Sequence, residues 1–99
     1  MSNRHSPGYR DQNEPLITET LRSCGVKYIQ LKEGQGADLL ILVQPMQFWE
    51  VKNPEQPPSK RRLTDAEQEM SDHCAEEGIP YHVVETVDDA MLLINRMRV

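Results

Sequence analysis

The chain has no excess of positive charge: 11 Lys and Arg stand against 16 Asp and Glu, for a net charge of −5. That excludes a histone-like polycation, though not a nucleic-acid enzyme with a local basic patch. Cysteine is scarce. Cys24 and Cys74 are the only 2 and lack metal-ligand spacing, so they read as reduced core thiols of a cytoplasmic protein rather than as a disulfide framework. Long apolar runs are missing too. The longest, residues 39–43, is one strand's worth, far short of a membrane span. The first residues, 1–12, are polar throughout, and no signal peptide is expected from them. At 99 residues the expectation is one small domain, burying about 60–65% of its unfolded surface. With 37% hydrophobic and 27% charged residues, the chain is too apolar for wholesale disorder.

What is present is unevenly placed. Residues 1–62 carry 9 basic and 7 acidic side chains, whereas residues 63–99 carry 2 and 9. One end is suited to face a polyanion and the other to face water. Residues 1–10, with Ser2, Asn3, Ser6, Pro7 and Gly8 and no hydrophobic period, predict a flexible arm that offers Arg4 and Arg10 to a polyanion. Residues 11–99 form the single domain. A helix opens at Asn13 as cap, tolerates Glu14 and Pro15 in its first turn, and stops at Gly25. At about 100° per residue, Ile17, Leu21 and Cys24 share a stripe that also contains Glu14. A carboxylate in line with the buried stripe is out of place for a solvated residue.

Strands are expected over residues 26–31, 37–43, 47–52 and 81–84, the second apolar on both faces and therefore central. Between the third and fourth, a proline-rich loop carries Ser59, Lys60, Arg61 and Arg62. Thr64 and Glu67 then form a capping-box pattern that opens a helix ending at Gly78. Thr86 caps a last helix over residues 87–97. The order is αβββαβα.

If Gln44, Pro45 and Met46 make a three-residue hairpin loop, Leu40 faces Glu50 and Asp38 faces Lys52. Period-two alternation then gathers Asp38, Glu50 and Lys52 on one face at one end of the hairpin. Two carboxylates this close repel, and a hard divalent cation with oxygen ligands reconciles them, Mg²⁺ or Mn²⁺ above all. Such an ion binds a phosphodiester oxygen and lowers the pKa of a bound water. Lys52 can stabilise the charge that develops on phosphorus, and the backbone carbonyl of Val51 is a natural further ligand.

The run Gly36-Ala37-Asp38-Leu39-Leu40-Ile41, followed after 8 residues by Glu50-Val51-Lys52, resembles the core of the PD-(D/E)xK nuclease superfamily. The resemblance extends over roughly residues 10–95 to the small stand-alone VRR-type nucleases often found in phages and prophages. Asn13-Glu14 at the first helix, Pro57-Pro58-Ser59 after the lysine, Leu63-Thr64 at the next helix and Gly78-Ile79-Pro80 before the last strand all fit that pattern. It implies an α/β, restriction-endonuclease-like core with a mixed four-stranded sheet flanked by helices. It further implies that Asp38 and Glu50 are metal ligands, Lys52 the catalytic lysine, and Glu14 a helix-borne acid reaching the metal. Ala37 stands where the superfamily often has proline. Glu67 stands where the family often has glutamine, with Gln68 beside it as the other accessory candidate.

Each residue also has a plainer reading. Glu14 can be a first-turn acid at the helix dipole, Glu67 a capping-box residue, and the cluster from Ser59 to Arg62 a solvated loop rather than a phosphate-binding patch. His5, His73 and His82 have no partners at ligand spacing, and Trp49 reads as core. The expectation is an Mg²⁺- or Mn²⁺-dependent endonuclease acting on DNA, in the family's case on branched, Holliday-junction-like DNA, in the cytoplasm of a bacterial or phage-infected cell. The alternative is a DNA-binding or interaction module that kept the fold without catalysis. A homodimer is expected, because one small site must be paired to cut two strands and because Met91, Leu92, Leu93, Ile94 and Met97 carry more apolar surface than one sheet face covers.

Overall fold

The computed structural model describes residues 13–97; the N-terminal arm, with Arg4, His5 and Arg10, lies outside the described residues. Helix α1 (Glu14–Ser23) begins with Pro15 in its first turn, where a missing N–H costs nothing, and has Arg22 at its negative end. Asn13 occupies the cap position but makes no side-chain capping bond. Its amide instead donates to the carbonyls of Lys52 at 2.9 Å and Glu85 at 2.7 Å. Both carbonyls lie just past the ends of two neighbouring strands and need donors. One carboxamide with two N–H groups serves both, and that demand overrides the local cap.

Four strands follow the expected order but are mostly shorter: β1 (Tyr28–Gln30), β2 (Leu39–Ile41), β3 (Gln47–Val51) and β4 (Tyr81–Val84). They form one sheet in the order β1-β2-β3-β4, antiparallel except for the parallel β3–β4 pair. The crossover between β3 and β4 is α2 (Asp65–Glu77), which opens on a complete Thr64–Glu67 capping box and closes on Gly78 in the left-handed conformation at φ 73°. Helix α3 (Val87–Ile94) is also box-capped, by Thr86 and Asp89. It ends earlier than the sequence predicts, because Arg96 and Met97 tighten into bonds to the carbonyls three residues back.

The β2–β3 register differs from the expected one. Leu40 lies opposite Phe48 rather than Glu50, and Ile41 opposite Gln47, so residues 42–46 form a five-residue loop. Leu42 gives its N–H to Lys27 on the β1 side, and the Gln47 amide donates back to the Pro45 carbonyl, which closes the wider loop on itself. The slip is two residues. Side-chain alternation also has period two, so every side chain keeps its face.

One sheet face packs against α1 and α3 in a core of Ile17, Leu21, Leu39, Ile41, Trp49, Val51, Val84, Ala90 and Ile94. Trp49 is fully buried and donates its indole N–H to Gln47 at 2.7 Å, as a core residue should. By alternation the other face presents Leu40, Phe48, Glu50, Lys52 and Tyr81, and α2 crosses it with Cys74 buried. The α3 surplus proves small. Ile94 and Met97 are buried, Met91 and Leu93 pack against the core, and of the five only Leu92 stays open, at 55% exposure. The early end of α3 turns Met97 back under the sheet instead of outward. Among the described residues no helix is long and apolar enough to cross a membrane.

Candidate active site

At the open end of the β2–β3 hairpin the ladder is continued by a side chain. Asp38 donates its N–H to the Trp49 carbonyl at 3.0 Å, and its carboxylate accepts the Val51 N–H at 2.7 Å. The carbonyl of Asp38 accepts from Leu31 at 2.8 Å, so its backbone is held by both neighbouring strands. On β3, Glu50 and the following Lys52 point to the α2 side and are only 4% and 7% exposed. The Lys52 ammonium lies 3.4 Å from Glu50 and 2.9 Å from Glu67 of α2. The same Glu67 oxygen also accepts the Thr64 N–H at 2.8 Å, so the capping residue and the lysine's partner are one carboxylate.

The electrostatics follow from this crowding. Burial, then the charge of Asp38 and the contact with Glu67, push the Glu50 carboxyl up to about 9, against the opposing pull of Lys52. Burial alone would lower Lys52 and raise Glu67, but their mutual hydrogen bond, with Thr64 and Glu50 adding to it, reverses both: Lys52 is raised and Glu67 lowered. The lysine is therefore held charged. Tyr81 completes the wall: its hydroxyl donates to the Gly36 carbonyl at 2.6 Å, and burial beside Glu50, Glu67 and Asp38 raises its phenol.

The structure thus brings Asp38, Glu50, Lys52 and Glu67 together. Facing Asp38 with Lys52 was wrong by the two-residue slip, yet the three residues still share one end of the hairpin. Glu14 is buried, at 2% exposure, on the stripe the periodicity marks, and its carboxylate accepts from Gln30 at 2.9 Å. Gln30 precedes Leu31, which binds Asp38, so Glu14 approaches the same sheet end from the α1 layer. The Val51 carbonyl lies on the same side of β3 as its N–H, toward Asp38. Gln68 is exposed and donates to Asp72, away from the site. In the basic loop, Ser59, Lys60 and Arg62 are exposed, while Arg61 is partly committed to Glu85 at 3.6 Å.

Three participants had no signal in the sequence. Gln30, Tyr81 and the strand-tying role of Asn13 depend on long-range contacts that no local spacing encodes. Among the described residues, no three His, Cys, Asp or Glu side chains are gathered closely enough to hold a metal ion. The donor set here is instead two carboxylates and a backbone carbonyl. Carboxylate and carbonyl oxygens are the donors that a hard divalent cation takes. Comparison with protein-family models, with curated proteins and with solved structures finds no match.

Glu50 supplies a test of this electrostatics. Its folded value of about 9 lies above the ordinary 4.5, so between those pH values the folded state keeps a proton that the unfolded chain has released. Stability therefore falls as pH rises through that window. Glu50→Gln should raise the melting temperature in chelator at about pH 8 by roughly 4 °C or more, and the gain should vanish below pH 4.5. Calorimetry across pH checks this, and an unchanged or lower melting temperature would show that Glu50 is not buried against other carboxyls.

Proposed function

We propose that this protein is a metal-dependent endodeoxyribonuclease with a restriction-endonuclease-like core, acting on branched DNA of the Holliday-junction kind. The observation that carries the reading is the convergence of Asp38, Glu50 and Lys52 at one buried sheet end, with Lys52 kept charged 3.4 Å from Glu50. Asp38, Glu50 and the Val51 carbonyl would hold Mg²⁺ or Mn²⁺, with Glu14 reaching it from α1. When bound, the cation supplies Lewis-acid polarisation of a phosphodiester and a water of lowered pKa. Lys52 offers its ammonium to the charge that develops on phosphorus, and Glu67 keeps it aimed. The wall formed by α2 and Tyr81 limits water around that ammonium, which strengthens its pull on an anionic substrate.

The alternative, a DNA-binding or interaction module without catalysis, is disfavoured because an acid–acid–lysine group this deeply buried is costly to keep unused. A nicking assay separates the two. Supercoiled and four-way-junction DNA should be cut with Mg²⁺ or Mn²⁺ and not in excess chelator, and Lys52→Ala should reduce the rate by at least about a hundredfold while leaving DNA binding in place. Binding without cutting in the wild type would establish the module reading.

Lys60 and Arg62 are the exposed cations of the loop beyond Lys52. Replacing both with alanine should flatten the log–log salt dependence of DNA affinity by about 1–2 units, with Arg61→Ala adding little because Glu85 already engages it. An unaltered slope would make the loop a solvated surface.

Two-strand cutting requires two sites, so the proposal includes a homodimer. Leu16, Val87 and Leu92, all exposed, lie on the α1–α3 layer, the surface best suited to a second copy. Leu92→Glu should leave the fold intact and shift sedimentation toward monomer at micromolar concentration. A wild-type monomer both on and off DNA would restrict the enzyme to nicking.

A further inference from the structure

Asp38 enters the sheet from a glycine-rich loop. Gly34 and Gly36 both have positive φ, 83° and 95°, in a region that gives a backbone wide freedom. A carboxylate at the end of such a loop holds its direction only if the loop is tied down. Asp38 itself is bonded to β1 and β3 through its main chain and to the Val51 N–H through its carboxylate, and the segment that leads into it has contacts of its own.

Two contacts fix the approach. Gly36 is buried against α2 so closely that a Cβ there would stand 2.8 Å from the Met70 Cβ and 3.1 Å from the Ala66 carbonyl. Its carbonyl accepts the Tyr81 hydroxyl at 2.6 Å, a bond spanning 45 residues of sequence. Tyr81 is the first residue of β4 and lies level with Phe48 on the face that carries Glu50 and Lys52. Its side chain therefore crosses over β3 and links the far strand of the site to the segment that delivers Asp38.

We propose that Tyr81 is a positioning residue for Asp38: its hydroxyl clamps the Gly36 carbonyl and thereby sets the carboxylate against the Val51 N–H and beside Glu50. This rests on the nuclease reading for its consequence in metal binding, but not for its geometry. Deleting the hydroxyl leaves a buried carbonyl without its donor, and the loop relaxes toward water. Outer partners of this sort characteristically change metal affinity by about 10- to 100-fold.

The experiment compares Tyr81→Phe with Tyr28→Phe, which removes a hydroxyl bonded to Arg22 at 2.7 Å on the exposed side of the molecule. The first readout needs no metal. In amide proton–nitrogen spectra of chelated protein, the Val51 resonance, drawn downfield by the Asp38 carboxylate, should move upfield in Tyr81→Phe and stay in place in Tyr28→Phe. The second is calorimetric titration with Mn²⁺, where Tyr81→Phe should bind about tenfold more weakly and Tyr28→Phe as the wild type does. A Val51 amide that does not move in Tyr81→Phe overturns the proposal, whatever the metal does. If the amide moves but wild-type protein takes up no Mn²⁺, the clamp stands and the nuclease reading fails instead.

Discussion

The Lys52 ammonium sits between two carboxylates, 2.9 Å from Glu67 and 3.4 Å from Glu50, and the arrangement of α2 over the sheet depends on it. Desolvating a lysine and its partners is unfavourable unless each remaining donor and acceptor is met. Here the Glu67 oxygen nearest the lysine is also the oxygen that closes the capping box of α2. Helix initiation and neutralisation of the buried cation are therefore one event. A helix shifted by a residue would lose both, which gives α2 a defined position even though Cys74 is the one buried residue on it.

Much of this was legible in the sequence because it rests on periodicities. The stripe containing Ile17 and Leu21 placed Glu14 inward, and it is buried; Thr64 and Glu67 spelled out a capping box, and one forms. The gathering of Asp38, Glu50 and Lys52 at one hairpin end survived a mistaken loop length for a physical reason. Faces repeat every two residues, so an error of two moves side chains along the strand and never through it. An error of one would have put Glu50 in the core and Trp49 beneath α2.

What the sequence did not disclose are the ties between distant segments. Asn13 has the composition of a cap and would serve as one in an isolated helix. The carbonyls of Lys52 and Glu85 are 39 and 72 residues away in sequence, and only the folded sheet brings them within reach. Tyr81 and Gln30 belong to the same class: each forms a long-range hydrogen bond from an ordinary strand position. The last helix misled for a related reason. Counting apolar residues along an ideal helix assumes that the helix continues, and α3 stops at Ile94, which lets the chain fold Met97 inward.

The charge balance of the site gives these contacts a common direction. Burial, then the charge of Asp38 and the contact with Glu67, push the Glu50 carboxyl up to about 9 against the pull of Lys52, so the site keeps a proton that an exposed carboxylate would lose. A proton is the smallest cation the site can take. Glu67 is held by the helix cap and by Lys52, so it cannot rotate away. Asp38 is held by the Val51 N–H, and its approach is fixed through Gly36 by Tyr81. Both acids are thus held near Glu50, where their charges raise its carboxyl. A frame that holds carboxylates together in this way is the physical feature on which the proposed binding of a divalent cation, and then of an anionic phosphodiester, rests.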